Sequence, residues 1–287
     1  MTAEQQTAWT LRDIMDATGG TLFTDGKTSR FDGFSIDSRN IHRDQCFICL
    51  AGEVHDGHTF IPDIIKQGVT GIILNRDKAD QALLKKLTEA DITCVAVKDT
   101  LTALGDLASF QRHRWDLSVV ALTGSNGKTT TRTMITAVAN RRFKTLSPFG
   151  NFNNLVGVPL TLLRTHPSHT WAILELGTNC AGEIRRLGQI CLPDIALITN
   201  IGPAHLEGLG SLEGVMNAKG EILETISPDG RLILNADDPM VMRLAKRVPF
   251  KPILFGLSKN ADIQARKLVS STNAVSFQLH IPGGEIH

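Results

Sequence analysis

The chain has 287 residues, 42% hydrophobic and 21% charged, with 30 Lys and Arg against 29 Asp and Glu and a net charge of +1. That length suggests about two domains of roughly 150 residues, and the composition excludes a mainly disordered chain. The balanced charge argues against a nucleic-acid binder that works through a strong positive field, no apolar run reaches the roughly 18 residues of a membrane helix, and residues 1–13 show no secretory signal, so the cytoplasm is the expected location.

In chain order, Thr10 and Asp13 have the spacing of a capping box that opens a helix over Leu11–Ala17, closed by Gly19-Gly20. Apolar strands are predicted at Phe31–Ile36, Cys46–Leu50, Gly71–Leu74 and Thr93–Val97, with helices near Thr59–Gln67, Asp77–Ala90 and Thr100–His113. Residues 1–115 therefore read as a small α/β domain. Cys46 and Cys49 form a C-x-x-C inside an apolar run, and Cys94, Cys180 and Cys191 supply no second ligand pair, so they read as core thiols rather than a zinc site.

Residues 116–287 change to a repeat of strand, glycine loop, helix and strand. Strands are predicted at Val119–Leu122, Ala172–Leu176, Ile195–Asn200, Leu232–Asn235 and Ile253–Phe255, and helices at Lys128–Arg141, Leu212–Ile226 and Pro239–Lys246. Nearly all-apolar strands point to a doubly wound, mostly parallel sheet with ligands at the C-terminal ends of its strands. Ala261–Val269 and Ala274–Ile281 suggest an antiparallel hairpin. Pro282-Gly283-Gly284 reads as a turn with no strand after it, so the end looks like a cut rather than a domain edge.

The strongest local signal is the run Val119–Thr131, in which a buried strand enters a glycine loop and Lys-Thr opens a helix. Gly124 and Gly127 let the backbone turn N–H groups toward an anion, and the helix N-terminus adds partial positive charge. Lys128 is placed to reach β- and γ-phosphates, and Thr129 to put its hydroxyl on Mg²⁺. Only two residues separate the glycines, which fits a generic P-loop GTPase or kinase poorly. Glu175 interrupts an apolar strand, as a metal-binding acid beside such a loop would. His205 falls in a loop at the same sheet edge; taken alone it reads more readily as a surface or packing histidine.

These residues resemble the ATP-dependent Mur ligases, which build the peptidoglycan stem peptide. The family's short loop, G-x-x-G-K-[ST]-[ST], corresponds to Gly124–Thr130. Further matching stretches are Gly150-Asn151-Phe152-Asn153-Asn154 with Gly157–Leu163, Glu175-Leu176-Gly177 with Gly182-Glu183-Ile184, Ala204–Gly208 with Gly210-Ser211-Leu212, and Ala218–Ile222. In the first half, Ile36–Arg39, Phe47–Gly52, Asp56-Gly57-His58 and Phe60 are similar to the family's uridine-nucleotide domain. The resemblance covers nearly the whole chain. It implies an N-terminal α/β uridine-nucleotide domain followed by a P-loop ATPase domain.

The activity it implies is joining D-alanyl-D-alanine to UDP-N-acetylmuramoyl-tripeptide through an acyl phosphate, at the expense of ATP. By the same resemblance Gly124, Ser125, Asn126, Gly127, Lys128, Thr129 and Thr130 bind the ATP phosphates, and Asn235 lies near the adenine, with Asp238 a helix cap. Thr129 and Glu175 hold one Mg²⁺, and His205 completes a two-metal arrangement with Lys219, carbamylated by CO₂. Asn153 and Asn154 lie near the γ-phosphate and the substrate carboxylate, and Ser38 and Arg39 contact the uridine diphosphate. By residue type alone, Lys219 reads as a solvated helix lysine and Ser38-Arg39 as a turn.

Family members continue into a third, Rossmann-like domain that supplies much of the dipeptide site, opening near a G-R-H-N-type segment that is absent here. The expectation is two-thirds of a ligase, monomeric, without nucleic acid or membrane insertion, and inactive or weak as it stands. Competing readings are a sister ligase that adds the third stem residue, a folylpolyglutamate synthetase, and a non-catalytic nucleotide-binding module. The G-N-F-N-N and A-H-L-E-G stretches argue against the first two.

Overall fold

The structure is a computed structural model and describes residues 7–52, 55–272, 274–282 and 284–286. It divides into two compact units: residues up to Trp115 together with Pro159–Ser168, and Asp116–Val158 together with His169 onward.

The first unit carries a five-stranded sheet in the order Thr21–Thr24, Thr93–Val97, Gly71–Asn75, Gln45–Ile48, Gly33–Ser35. All neighbours are parallel except Thr21–Thr24. Phe47, Cys49, Ile64, Ile72, Leu74, Leu87 and Cys94 form one continuous core. Burial pushes the Cys46 and Cys49 thiols well up and that of Cys94 to about 12, so these are inert core groups; of the five free cysteines only Cys180, in the second unit, is exposed.

The predicted capping box is present: the Asp13 N–H donates to Thr10 Oγ1 at 3.1 Å and the Thr10 N–H to Asp13 Oδ2 at 2.9 Å. The predicted strand Phe31–Ile36 is split, because Gly33 turns the chain at φ +156°; Arg30–Phe31 pairs instead with Trp9–Thr10 in a separate ribbon. The predicted helix Asp77–Ala90 is likewise two pieces, a 3₁₀ turn at Arg76–Lys78 and a helix Gln81–Glu89 that Asp80 caps by accepting from the Leu83 N–H at 2.7 Å.

The second unit is built on a nine-stranded sheet, ordered Gly284–Ile286, Val275–Ile281, Ile263–Ser270, Ile253–Gly256, Arg231–Asn235, Ile195–Ile198, Ser118–Thr123, Trp171–Glu175, Thr145–Leu146. The seven strands from Thr145–Leu146 to Ile263–Ser270 run parallel. The hairpin is antiparallel, as predicted. The expectation that no strand follows Pro282 is corrected: Gly284–Ile286 pairs antiparallel with Leu279–Ile281, a three-residue strand too short to show periodicity; Gly283 lies outside the described residues. The predicted helix Leu212–Ile226 ends at Gly220 and passes into a 3₁₀ turn, Glu221–Glu224.

Ser118–Thr123 lies between Trp171–Glu175, the later strand on one side, and Ile195–Ile198 on the other. The chain thus leaves this central strand toward one side and then crosses to the other, and the crevice at the reversal is where ligands of doubly wound sheets bind.

Packing in the first unit leaves no space at Gly71, where a Cβ would lie 2.2 Å from the ring of Phe31, a residue only 1% exposed. Gly71→Ala should therefore destabilise that unit by about 1–3 kcal/mol. The measurement is the urea midpoint for loss of exchange protection in Gly71–Asn75, which should fall with the slope unchanged.

Candidate functional site

At the C-terminal end of Ser118–Thr123, Gly124 sits at φ +154° and a Cβ there would lie 2.0 Å from Thr199 Oγ1. Only glycine passes so close to the neighbouring strand end. Gly127, at φ +76°, is the N-cap of the helix Lys128–Ala139 and has no side chain to bond the first-turn N–H groups, which carry the positive end of the helix dipole.

The loop between is braced by the next strand end. The Ser125 N–H donates to Asn200 O and the Asn126 N–H to Asn200 Oδ1, both at 2.9 Å. Asn200 Nδ2 and Thr199 Oγ1 donate in return to Asn126 O at 3.0 and 2.9 Å, and Ser125 Oγ exchanges 2.8 Å bonds with Gly202 O and N–H. The Ser125 and Asn126 amides are thus bonded to Asn200, while the first-turn N–H groups of the helix have no intrahelical acceptor. Lys128 Nζ folds over its own loop, donating to Gly124 O at 2.9 Å and Ser125 O at 3.4 Å.

Glu175 ends the strand Trp171–Glu175 and is 2% exposed. Its Oε2 accepts from Thr129 Oγ1 at 2.9 Å and its Oε1 from Asn153 Nδ2 at 2.8 Å. Arg132 Nε stands 3.9 Å from Oε2, while Arg132 Nη1 and Nη2 donate to Pro148 O and Gly150 O at 2.7 and 3.0 Å. Sequence reading missed Arg132, although it follows Lys128 by one helical turn and so shares its face. Asn153 is also fixed through its backbone, its carbonyl accepting from the Gly177 N–H at 2.7 Å. Asn154 is differently employed: its Oδ1 accepts from the Gly157 N–H at 2.8 Å and caps the helix Gly157–Leu162.

Lys219, in the helix Leu212–Gly220, is 1% exposed, so it is no solvated surface lysine, and among the described residues no carboxylate pairs with it. Burial first, and the charge of Lys128 second, push its pKa down to about 8. The neighbouring Glu221, also missed, accepts from the Gly182 N–H at 2.7 Å and the Arg185 N–H at 3.0 Å and so caps the helix Glu183–Cys191. His205 is exposed, at φ +51°, and opens the short helix Leu206–Leu209; its ring makes no bond to Thr129, Glu175 or Lys219.

Asn235 is a strut, with Nδ2 donating to Thr199 O at 2.8 Å and Oδ1 accepting from the Asp237 N–H at 2.9 Å. Asp238 caps its helix through the Met240 and Val241 N–H groups, and its second oxygen accepts from the Ile201 N–H at 2.7 Å.

A hydroxyl beside a carboxylate is the hard-oxygen donor set that suits Mg²⁺, and among the described residues no group of three or more His, Cys, Asp or Glu is placed to hold a metal. Mg²⁺ held by one or two protein oxygens plus substrate phosphates fits that arrangement; an all-protein metal cage does not.

In the first unit, Arg39 Nε and Nη2 donate to the Asp37 carboxylate at 2.8 and 3.0 Å, and this bonding holds the Asp37 carboxyl well below the usual range. Ser38 O accepts from Gln67 Nε2 at 2.9 Å. His58 is a bracket: its Nε2 accepts from the Asn75 N–H at 3.0 Å, so Nδ1 carries the proton given to Asp56.

Comparison with known proteins matches residues 122–287 to the Mur ligase middle domain and residues 30–112 to the Mur ligase family catalytic domain. The UDP-N-acetylmuramoyl-tripeptide–D-alanyl-D-alanine ligase of Escherichia coli is 35% identical over 283 residues, covering 96% of this chain and 59% of the relative. A crystal structure of MurF from Acinetobacter baumannii superposes with a TM-score of 0.89 at 32% identity, covering 97% of this chain and 60% of that one. The MurF ligase from Thermotoga maritima, solved in complex with ADP, shares the fold with a TM-score of 0.78 at 24% identity, over 88% of this chain and 57% of that one. The chain spans about three fifths of the length of the curated relative it matches.

An unpaired buried ammonium costs stability while it is charged. Lys219 binds its proton less tightly folded (about 8) than unfolded (10.5), so unfolding takes up a proton between those values and stability rises with pH across that window. Lys219→Met, close in volume, should stabilise the protein by about 1–3 kcal/mol at pH 7. The gain should shrink above pH 8 and vanish near pH 10.5, as read from urea midpoints of the two proteins over that range.

Proposed function

The chain belongs to the Mur ligase family, and from that membership and the geometry of its phosphate loop we propose that it is part of an ATP-dependent ligase that joins D-alanyl-D-alanine to UDP-N-acetylmuramoyl-tripeptide in peptidoglycan-precursor synthesis. The observation that carries the reading is the helix N-terminus behind Gly127, with Lys128 over the loop and Thr129 bonded to the buried Glu175. The D-alanyl-D-alanine ligase named in the comparison is similar along almost all of this chain. We take the protein to act as a monomer in the cytoplasm. No helix among the described residues is long and apolar enough to cross a membrane.

In this reading the first-turn N–H groups and Lys128 bind the β- and γ-phosphates of ATP and offset the charge that develops as the γ-phosphoryl moves. Thr129 and Glu175 would hold one Mg²⁺, and His205 with the carbamate of Lys219 a second. When bound, the metal ions supply charge neutralisation and alignment of the transferring group. Asn153 keeps Glu175 oriented through its 2.8 Å bond. In the first unit, Arg39 would exchange the Asp37 carboxylate for the substrate's pyrophosphate, with Ser38 beside it.

The terminal carboxylate of the tripeptide attacks the γ-phosphorus and ADP leaves, giving an acyl phosphate. The amine of D-alanyl-D-alanine then attacks the acyl carbon, and phosphate departs from the tetrahedral intermediate as the amide forms and the amine loses a proton. Lys219 is chemically suited to modification: with a pKa pushed to about 8, a fraction of its amine is neutral near pH 7. The neutral nitrogen can attack CO₂, forming the N–C bond as one C=O π bond opens to an oxyanion and releasing one proton; with the proton already lost from the ammonium, two protons leave in all as the cation becomes an anionic oxygen ligand.

Lys128→Ala should weaken binding of a non-hydrolysable ATP analogue with Mg²⁺ by about 10- to 100-fold, the scale of losing a charge-assisted phosphate contact. Binding of the uridine-nucleotide substrate and the melting temperature should be nearly unchanged. Unchanged nucleotide affinity in calorimetric titration overturns the assignment.

Incubation with ¹³C-labelled bicarbonate should give a carbamate carbon resonance that is absent from Lys219→Met. A signal that persists in that variant places the carbamate elsewhere.

A further inference from the structure

Arg132 is the one buried residue of the helix Lys128–Ala139, at 6% exposure. A guanidinium carries five N–H donors, and burying it is costly unless they find acceptors. Nη1 and Nη2 find theirs in Pro148 O and Gly150 O, whereas Nε is buried with no hydrogen-bond partner. An orphaned donor in a native site calls for an explanation.

The segment it grips has little packing of its own. Phe149 and Phe152 are 68% and 45% exposed, and Gly150 turns the chain at φ +54° between them. Asn153, which holds Glu175 Oε1, lies directly beyond this turn. We propose that Arg132 is a positioning residue whose fork fixes Pro148–Asn154 against the phosphate-loop helix and thereby sets the grip of Asn153 on Glu175.

The orphaned Nε has a role in the same scheme. Glu175 Oε2 accepts from Thr129 Oγ1 at 2.9 Å, with Arg132 Nε the next donor at 3.9 Å. When the Thr129 hydroxyl turns to a metal ion, Nε is the donor in reach of the released oxygen. This last point rests on the ligase reading; the grip on Pro148–Asn154 does not.

Arg132→Lys separates the two contributions, since it keeps the charge and loses the planar fork. Amides of residues 149–154 should exchange with deuterium about tenfold faster or more, and those of the helix Lys128–Ala139 less than about twofold faster. In the same variant the Mg²⁺ concentration for half-maximal binding of a non-hydrolysable ATP analogue should rise about tenfold, as when a ligand's outer support is lost, with metal-free affinity within about twofold. Asn153→Ala should give the same Mg²⁺ shift, and the double variant should be no worse than either single one.

Unchanged exchange in 149–154, or a rise shared equally by the helix, overturns the proposal, as does a double variant whose Mg²⁺ shift is the product of the two. A wild-type protein whose nucleotide binding ignores Mg²⁺ would instead sink the ligase reading, and the exchange result alone then decides the role of Arg132.

Discussion

The carboxylate of Glu175 is the point at which three stretches of chain meet. It ends a strand whose other side chains are apolar, and it is taken out of water there. A bare carboxylate in that position would be costly. Thr129 from the phosphate-loop helix, Asn153 from the G-N-F-N-N stretch and the guanidinium of Arg132 supply the compensation. The same three contacts tie the loop, the strand end and the Pro148–Asn154 segment together, so the burial of one charge fixes the relative placement of the site's parts. A group that needs three partners in a dry place is more specific about geometry than an apolar contact of equal area, and this is how a buried polar network defines a site.

The loop itself depends on a second bracket. Asn200 binds both the amide and the carbonyl of Asn126, and Asn235 supports the carbonyl of Thr199 on the adjoining strand. Three parallel strand ends are thereby locked edge to edge at the topological reversal. The helix that begins at Lys128 starts from a rigid rim rather than from a free loop. Electrostatics follow from this arrangement: burial, and after it the charge of Lys128, lowers the affinity of Lys219 for its proton.

Much of the scaffold was legible because its signals are local. The parallel strands are apolar runs, the capping box is a two-residue pattern, and the Gly-Lys-Thr junction marks a strand-to-helix turn by itself. What escaped notice depends on partners distant in sequence. Arg132 looks like any helix arginine until the carbonyls of Pro148 and Gly150 appear beside it. Glu221 caps a helix 38 positions before it, and that helix, Glu183–Cys191, was missed although Ile184, Leu187 and Cys191 repeat at helical spacing. The bond of the Asn235 amide to Thr199 O likewise joins residues that sequence spacing alone does not bring together. The final strand was missed for a simpler reason: its three residues carry too little periodicity to register as an element.

The distribution of thiols has a practical side. Cys46, Cys49, Cys94 and Cys191 are enclosed by their surroundings, which leaves Cys180 as the sulfur open to solvent. Its backbone N–H is held by the Glu183 carboxylate at 3.1 Å, in the loop that follows the strand bearing Glu175. These 287 residues therefore carry one accessible attachment point for a maleimide dye or spin label, on a pinned loop beside the strand end. A spectroscopic reporter can be introduced there without removing any other cysteine.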